Sequence, residues 1–247
     1  IKNFIDELPF KLTKAQIRVK KDILVDLEKS YPMMRLIQGD VGSGKTIVAA
    51  IACIKAIASG YQAAVMAPTE ILAEQHWHSF SEWFKTLGIK PTWLSGSQKV
   101  ASRRDSLELI TSGNAKLVIG THALFQEGFD FKNLGLVVID EQHKFGVKQR
   151  SDLAKKGGDN CDVLLMSATP IPRTMMMSLY GDMDVSKITE KPAKRKKILT
   201  LSKPEKKINE LWPFIKKQID SDNQIFWVCP LIEKSAFLDY SSAKKKF

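Results

Sequence analysis

Short apolar runs recur along the first 190 residues, with helical stretches filling the gaps between them. The runs at 33–38, 62–67, 91–95, 116–120, 134–140 and 162–167 read as strands, and helices fall near 45–59, 70–87 and 99–112. Leu136-Val137-Val138-Ile139 and Val163-Leu164-Leu165-Met166 are apolar without alternation, as in strands buried on both faces. Strands alternating with helices predict an α/β fold built on a doubly wound parallel sheet. Right-handed crossovers then bring all strand C-terminal ends to one edge. An earlier helix is expected from Thr13, where Thr13-Lys14-Ala15-Gln16 has capping-box spacing, to about Ser30.

Near Lys191-Pro192 the pattern changes. Lys197 to Leu201 reads as a strand, Glu205 to about Ile219 as a helix, and Gln224 to Pro230 as a second strand stopped by proline. The division expected is therefore a first domain at 1–192 and the opening elements of a second at 193–247. The chain starts at Ile1 rather than Met and ends in Ser-Ser-Ala-Lys-Lys-Lys-Phe, so it reads as a fragment of something longer.

The predicted sheet edge collects the unusual chemistry. Gly39-Asp40-Val41-Gly42-Ser43-Gly44-Lys45-Thr46 fits G-x-x-x-x-G-K-[ST] between a strand and a helix. Its glycines let backbone N–H groups face inward, and the helix behind adds its positive dipole end, which together make an anion site. Gly39, Gly42, Ser43 and Gly44 would cradle the phosphates of a nucleoside triphosphate, Lys45 would reach the β/γ-phosphates, and the Thr46 hydroxyl would hold Mg²⁺. Asp140-Glu141 follows the strand at 134–140 on the same edge. Asp140 is placed to hold Mg²⁺ through water and Glu141 to orient the attacking water, the two needs of γ-phosphate hydrolysis. Gln142-His143 extends the pair, and His143 is expected to sense the γ-phosphate. Ser167-Ala168-Thr169 leaves the next strand with two hydroxyls that can bridge to His143 and couple hydrolysis to movement. Gln16 has two readings, a helix cap or an amide that reads adenine through paired contacts.

Composition changes this picture little. An apolar fraction of 44% and a charged fraction of 26% describe an ordinary globular protein. No run of 18 apolar residues and no signal peptide is present, so a cytoplasmic location without membrane contact is expected. Cys53, Cys161 and Cys229 are odd in number and lie in apolar surroundings, and the four histidines have no cysteine at ligand spacing. Reduced thiols and no structural metal are therefore expected. The net charge of +11 is concentrated at the end: residues 191–247 carry 14 basic and 6 acidic residues. A solvated linker or helix face accounts for that excess as well as nucleic-acid contact does.

Gln16, the phosphate loop, Ala67-Pro68-Thr69-Glu70, Gly120-Thr121-His122, Asp140-Glu141-Gln142-His143 and Ser167-Ala168-Thr169 together resemble superfamily 2 helicases. Longer runs resemble the RecG-type helicases within that superfamily. They are Asp140 to Val147, Met166 to Thr174, Leu179 to Ser186, and Trp227 to Glu233. Transcription-repair coupling factors share some of these features but typically carry Asp-Glu-Glu-Gln at the position of Asp140-Glu141-Gln142-His143. Lys144 stands where an arginine is more usual in RecG-type proteins. The resemblance implies a RecA-like lobe and an ATP-dependent helicase that remodels branched double-stranded DNA in recombination and repair. It further implies that Pro68, Thr69, Thr121 and His122 lie near the DNA backbone, and that a wedge domain and the rest of a second lobe complete the enzyme. Residues 1–247 alone would then be nearly inactive. A coupling-factor-like translocase and a nucleotide-switched DNA clamp are the alternatives.

Overall fold

A computed structural model describes residues 1–126, 128–141, 156–158, 160–169, 183–190 and 198–228. By contacts the chain divides into two units, Ile1–Arg195 and Lys196–Phe247.

In the first unit, α1 (Lys2–Asp6) precedes α2 (Lys14–Asp26). Then come β1 (Met34–Gly39), α3 (Lys45–Ala58), β2 (Gln62–Met66), α4 (Glu70–Trp83), β3 (Thr92–Leu94), α5 (Val100–Ser112) and β4 (Leu117–Gly120). Strands β5 (Leu134–Ile139), β6 (Asp162–Ser167) and β7 (Asp184–Ile188) complete it. All seven strands lie in one sheet of order β3-β4-β2-β5-β6-β1-β7, and every pairing is parallel. The doubly wound parallel sheet read from the sequence is the one observed.

Both faces of the sheet are covered. Ala63, Val65, Leu136 and Val138 face a core shared with α2, α3 and the Phe80–Phe84 end of α4. Ala64, Met66, Val137 and Ile139 face the opposite core with Ile110 of α5, Phe129 and Phe131. Neighbouring residues on a strand thus enter different cores, and the runs carry no polar alternation. Helix α3 is apolar nearly all round because it is buried, from Ile47 to Ala56.

Some expected boundaries move. Helix α4 stops at Trp83 rather than 87; a 3₁₀ turn, Lys85–Leu87, follows and Gly88 closes it at φ +67°. Helix α2 ends four residues before Ser30. Strand β7 was not expected, since Asp-Val-Ser-Lys-Ile offers no apolar run. Among the described residues it pairs with β1 alone, and polar contacts pin it there. Arg35 on β1 donates to Asp26 at 2.6 Å and to Ser186 at 2.8 Å, and Ser186 donates to Asp22 at 2.9 Å. Arg18 donates to the Lys187 carbonyl at 2.9 Å, and Glu190 accepts from the Ala15 N–H at 3.0 Å. Helix α2 is thereby fastened along the sheet edge.

In the second unit, Glu205–Glu210 forms a 3₁₀ segment leading into α6 (Leu211–Asp220), with Pro213 in its first turn, where no N–H is missed. The strands expected at 197–201 and 224–230 do not form among the described residues: 198–204 and 223–228 are irregular. Ile198, Leu199 and Leu201 stay exposed, and a strand has no stability without a partner to pair with. Among the described residues no helix is long and apolar enough to cross a membrane.

Burial pushes the Asp26 carboxyl upward, but contacts from Lys29 and Arg35 outweigh it and hold the group below its ordinary value of 3.8. A lowered folded value means this contribution is complete above pH 3.8 and fades as pH falls through the folded value. Arg35→Ala, which leaves Asp26 with Lys29 as its remaining cation, should therefore cost about 2 kcal/mol at neutral pH. Urea midpoints of the two proteins should converge as pH drops below 3.8. A pH-independent difference would assign the loss to packing alone.

Candidate nucleotide and nucleic-acid site

Strand β1 ends at Gly39 and α3 begins at Lys45, so five residues must turn the chain through the sheet edge. The Ser43 N–H donates to the Asp40 carbonyl at 3.0 Å, tightening the loop. Gly44, the residue capping α3, sits at φ +83°, where a side chain is strained. A Cβ there would collide with Gln16 Nε2, and one on Gly39 would lie 2.6 Å from Ser43 Oγ. The loop is closed tightly against its supports.

Gln16 is one of those supports. Its Oε1 accepts from the Thr13 N–H at 2.8 Å and Thr13 Oγ1 accepts from the Gln16 N–H at 3.2 Å, the predicted capping box. The same amide donates through Nε2 to the Ser43 carbonyl at 2.8 Å. Gln16 thus joins the start of α2 to the phosphate loop, a role its capping spacing alone does not show.

Lys45 Nζ donates to the Gly39 carbonyl at 2.6 Å and to the Asp40 carbonyl at 3.2 Å. Burial pulls its ammonium below the ordinary lysine value, while attraction from Asp140, Glu141 and Asp40 opposes that shift. Asp140 is buried at the end of β5. Its Oδ1 accepts from the Glu141 N–H at 2.9 Å, and its Oδ2 lies 2.8 Å from His76 Nε2 of α4. Glu141 occupies the left-handed region at φ +47°, unusual for a side-chain-bearing residue and of the kind found at functional turns. A cavity of about 620 Å³ brings these groups together, lined by Gly42, Gly44, Lys45, Thr46, Asp140 and Glu141. Phe10, Lys11, Gln16, Gln75, His76 and Trp83 also line it.

These residues fit a nucleoside triphosphate with its metal. The N-terminus of α3 opens into the cavity, Ser43 Oγ is buried without a hydrogen-bond partner, and glycines stand where a Cβ would intrude. Thr46 and Asp140, the residues expected to hold Mg²⁺, line the same cavity.

Elsewhere on the edge, Ser167 Oγ lies 3.0 Å from Thr169 Oγ1 and accepts from the Thr169 N–H at 3.2 Å, forming a closed local knot. Gln38 Nε2 donates to the Thr169 carbonyl at 3.3 Å, tying the knot to β1. Gln142 and His143 lie outside the described residues, so the bridge expected between His143 and these hydroxyls does too. Thr69 caps α4 by accepting from the Leu72 N–H at 3.4 Å and is exposed, as is His122; Pro68 is half-buried. Thr121 is buried, with its Oγ1 unpartnered. Glu70 accepts from the Ser97 hydroxyl at 2.6 Å, a contact that holds its carboxyl below the usual range and ties the start of α4 to the loop after β3. His76 had no sequence signal: 64 residues separate it from Asp140.

The DEAD/DEAH box helicase model matches residues 13–178. The chain belongs to that family. Within the DEAD/DEAH box helicases it is similar to the ATP-dependent DNA helicase RecG of Haemophilus influenzae, at 51% identity over 98% of this chain and 35% of that protein. The RecG of Bacillus subtilis matches at 49% identity over 97% of this chain and 35% of that protein. This chain thus spans about a third of the length of these relatives. Among solved structures, RecG bound to a three-way DNA junction superimposes with a TM-score of 0.78 at 42% identity, covering 89% of this chain and 29% of that one. The DEAD-box helicase Mss116 shares the fold, with a TM-score of 0.57 at 20% identity over 74% of this chain and 41% of that one.

Gly44→Ala should test the loop geometry, because its methyl would force Gln16 off the Ser43 carbonyl. We expect fluorescent ATP binding to weaken at least about tenfold, with the thermal midpoint changing by only a few degrees. Unchanged binding would show that the loop tolerates a conformation other than the one seen.

Proposed function

We propose that this chain is the ATP-binding motor lobe of a RecG-type helicase, which uses ATP and Mg²⁺ to move on branched double-stranded DNA in recombination and repair in the cytoplasm. The carrying observation is the single cavity that holds the α3 N-terminus, Lys45, Asp140 and Glu141. Residues 1–192 would form the lobe and 193–247 the opening of a second, with the wedge domain supplied by the rest of the protein.

In this reading the loop N–H groups from Gly42 to Thr46 receive the β-phosphate, and Lys45 exchanges its two carbonyl partners for phosphate oxygens. Thr46 and Asp140 would hold Mg²⁺, which would supply neutralisation of the charge developing on the γ-phosphoryl group. Glu141, which lines the same cavity, orients and deprotonates the attacking water. Gln16 spends its acceptor on the Thr13 N–H and one donor on the Ser43 carbonyl, so its role is first to hold the loop, with the remaining N–H available to adenine. His143 would sense the γ-phosphate, and Ser167 and Thr169 would pass its state on.

Pro68, Thr69, Thr121 and His122 stand at the ends of β2 and β4. Such contacts grip phosphates without reading bases, as suits an enzyme that recognises branch shape. Exposed Thr69 and His122 would touch the strand, and buried Thr121 would shape the turn beneath them.

The decisive experiment separates binding from chemistry. In the full-length protein, Glu141→Gln should bind ATP about as well as wild type while hydrolysing it about 10²-fold more slowly or worse. Equal loss of both would make Glu141 structural. Residues 1–247 alone should bind nucleotide weakly and show no DNA-stimulated hydrolysis, since an arginine from a second lobe supplies about 10³–10⁵ in rate in such reactions. Stimulated turnover at a full helicase rate would refute the two-lobe reading.

A further inference from the structure

His76 is a buried histidine that no motif claims, yet it touches the carboxylate expected to serve the metal. An ionised carboxylate only accepts hydrogen bonds, so the proton between the two residues sits on Nε2 and His76 donates to Asp140 Oδ2. The other oxygen, Oδ1, accepts from the Glu141 N–H. With both oxygens engaged, the carboxylate cannot rotate freely about its last bond.

The imidazole is itself held. It meets the Phe80 ring edge-on at 6.4 Å between centroids, one turn along the same helix. Phe80 is anchored in the core against Phe84, which in turn packs on Phe4. The Asp140 N–H, meanwhile, donates to the Met66 carbonyl at 2.9 Å. Met66 ends β2, and three residues later Thr69 caps α4. The β2–α4 hairpin of chain therefore grips Asp140 at two points, its backbone from the strand and its side chain from the helix.

We propose that His76 is a positioning residue for Asp140, fixing the carboxylate in the orientation that receives Mg²⁺ and making metal affinity depend on the seating of α4. This rests on the nucleotide reading of the cavity. Polar partners of metal-binding carboxylates are worth about 10–100-fold in metal affinity in other proteins. Since α4 starts at exposed Thr69, displacement of the helix at that end would reach the metal carboxylate through His76.

The test uses full-length protein and fluorescent ADP, with nucleotide affinity measured in chelator and then across a Mg²⁺ titration. His76→Ala should leave metal-free ADP affinity within about twofold while raising the Mg²⁺ midpoint about 10–100-fold. His76→Gln, whose Nε2 can reach the same oxygen, should restore the midpoint to near wild type. An unshifted Mg²⁺ midpoint in His76→Ala would overturn the proposal, as would equal weakening with and without Mg²⁺, which marks a structural role. A His76→Gln protein as impaired as His76→Ala would also overturn it, because the donor would not be what matters. A wild-type protein that binds no ADP, or binding insensitive to Lys45→Ala, would instead remove the nucleotide reading beneath it.

Discussion

Parallel pairing is the constraint from which the rest of this structure follows. Strands that run the same way cannot be joined by hairpins, so each connection must cross a face of the sheet and return to the starting side. Helices α2, α3 and α4 occupy one face and α5 the other. The cost is a sheet buried on both sides, met here by strands such as Leu136–Ile139 that are apolar at every position. The consequence is that every strand stops at the same edge. Residues as distant in sequence as Lys45 and Asp140 are thereby set into one cavity without any local signal that they should meet.

Charge is then managed at that edge by opposition. Lys45 is buried, which disfavours its ammonium, and three carboxylates nearby restore part of what burial removes. Desolvation of this kind is tolerable only if the charge is well partnered. The Gly39 and Asp40 carbonyls partner it from the loop, so the lysine is held at the place where the α3 dipole also favours an anion. Asp140 and Glu141 are consecutive but differ in conformation: Asp140 follows directly on β5 and its N–H still donates to the Met66 carbonyl, while Glu141 takes the left-handed region.

How much of this was legible depended on how many faces an element buries. The six strands read from the sequence are those with partners on both sides or a place against a covered face, and their apolar runs gave them away. Strand β7 was missed because its side chains alternate without an apolar run and much of what holds it is polar, with Ser186 between Arg35 and Asp22 and the Lys187 carbonyl accepting from Arg18. Ile198, Leu199 and Leu201 misled in the opposite direction: an apolar run specifies a strand only when another strand is available to pair with it. The tight turn from β1 into α3 was legible because the motif places fixed residue types at fixed spacing over eight residues. His76 was not, since it sits on α4 at ordinary helical spacing and acquires its partner only through the sheet topology.

Helix α2 shows how the remote parts are joined to the loop. Its first turn carries Gln16, which supports the Ser43 carbonyl. Its later turns carry Arg18, Asp22 and Asp26, which reach the Lys187 carbonyl, Ser186 and Arg35. A buried ion pair such as Asp26–Arg35 is weak evidence for stability, because a well-packed apolar pair of similar volume often does as well. What an apolar pair lacks is direction. The guanidinium fixes the rotation of α2 about its own axis relative to β1 and β7, and with it the side from which Gln16 meets the phosphate loop. Strand β1 contributes Arg35 at its start and Gly39 at its end, four residues apart on a rigid element. Registry set at one end of β1 is therefore carried along the strand and the helix together to the loop at the other end, so a polar network far from the cavity sets the geometry within it.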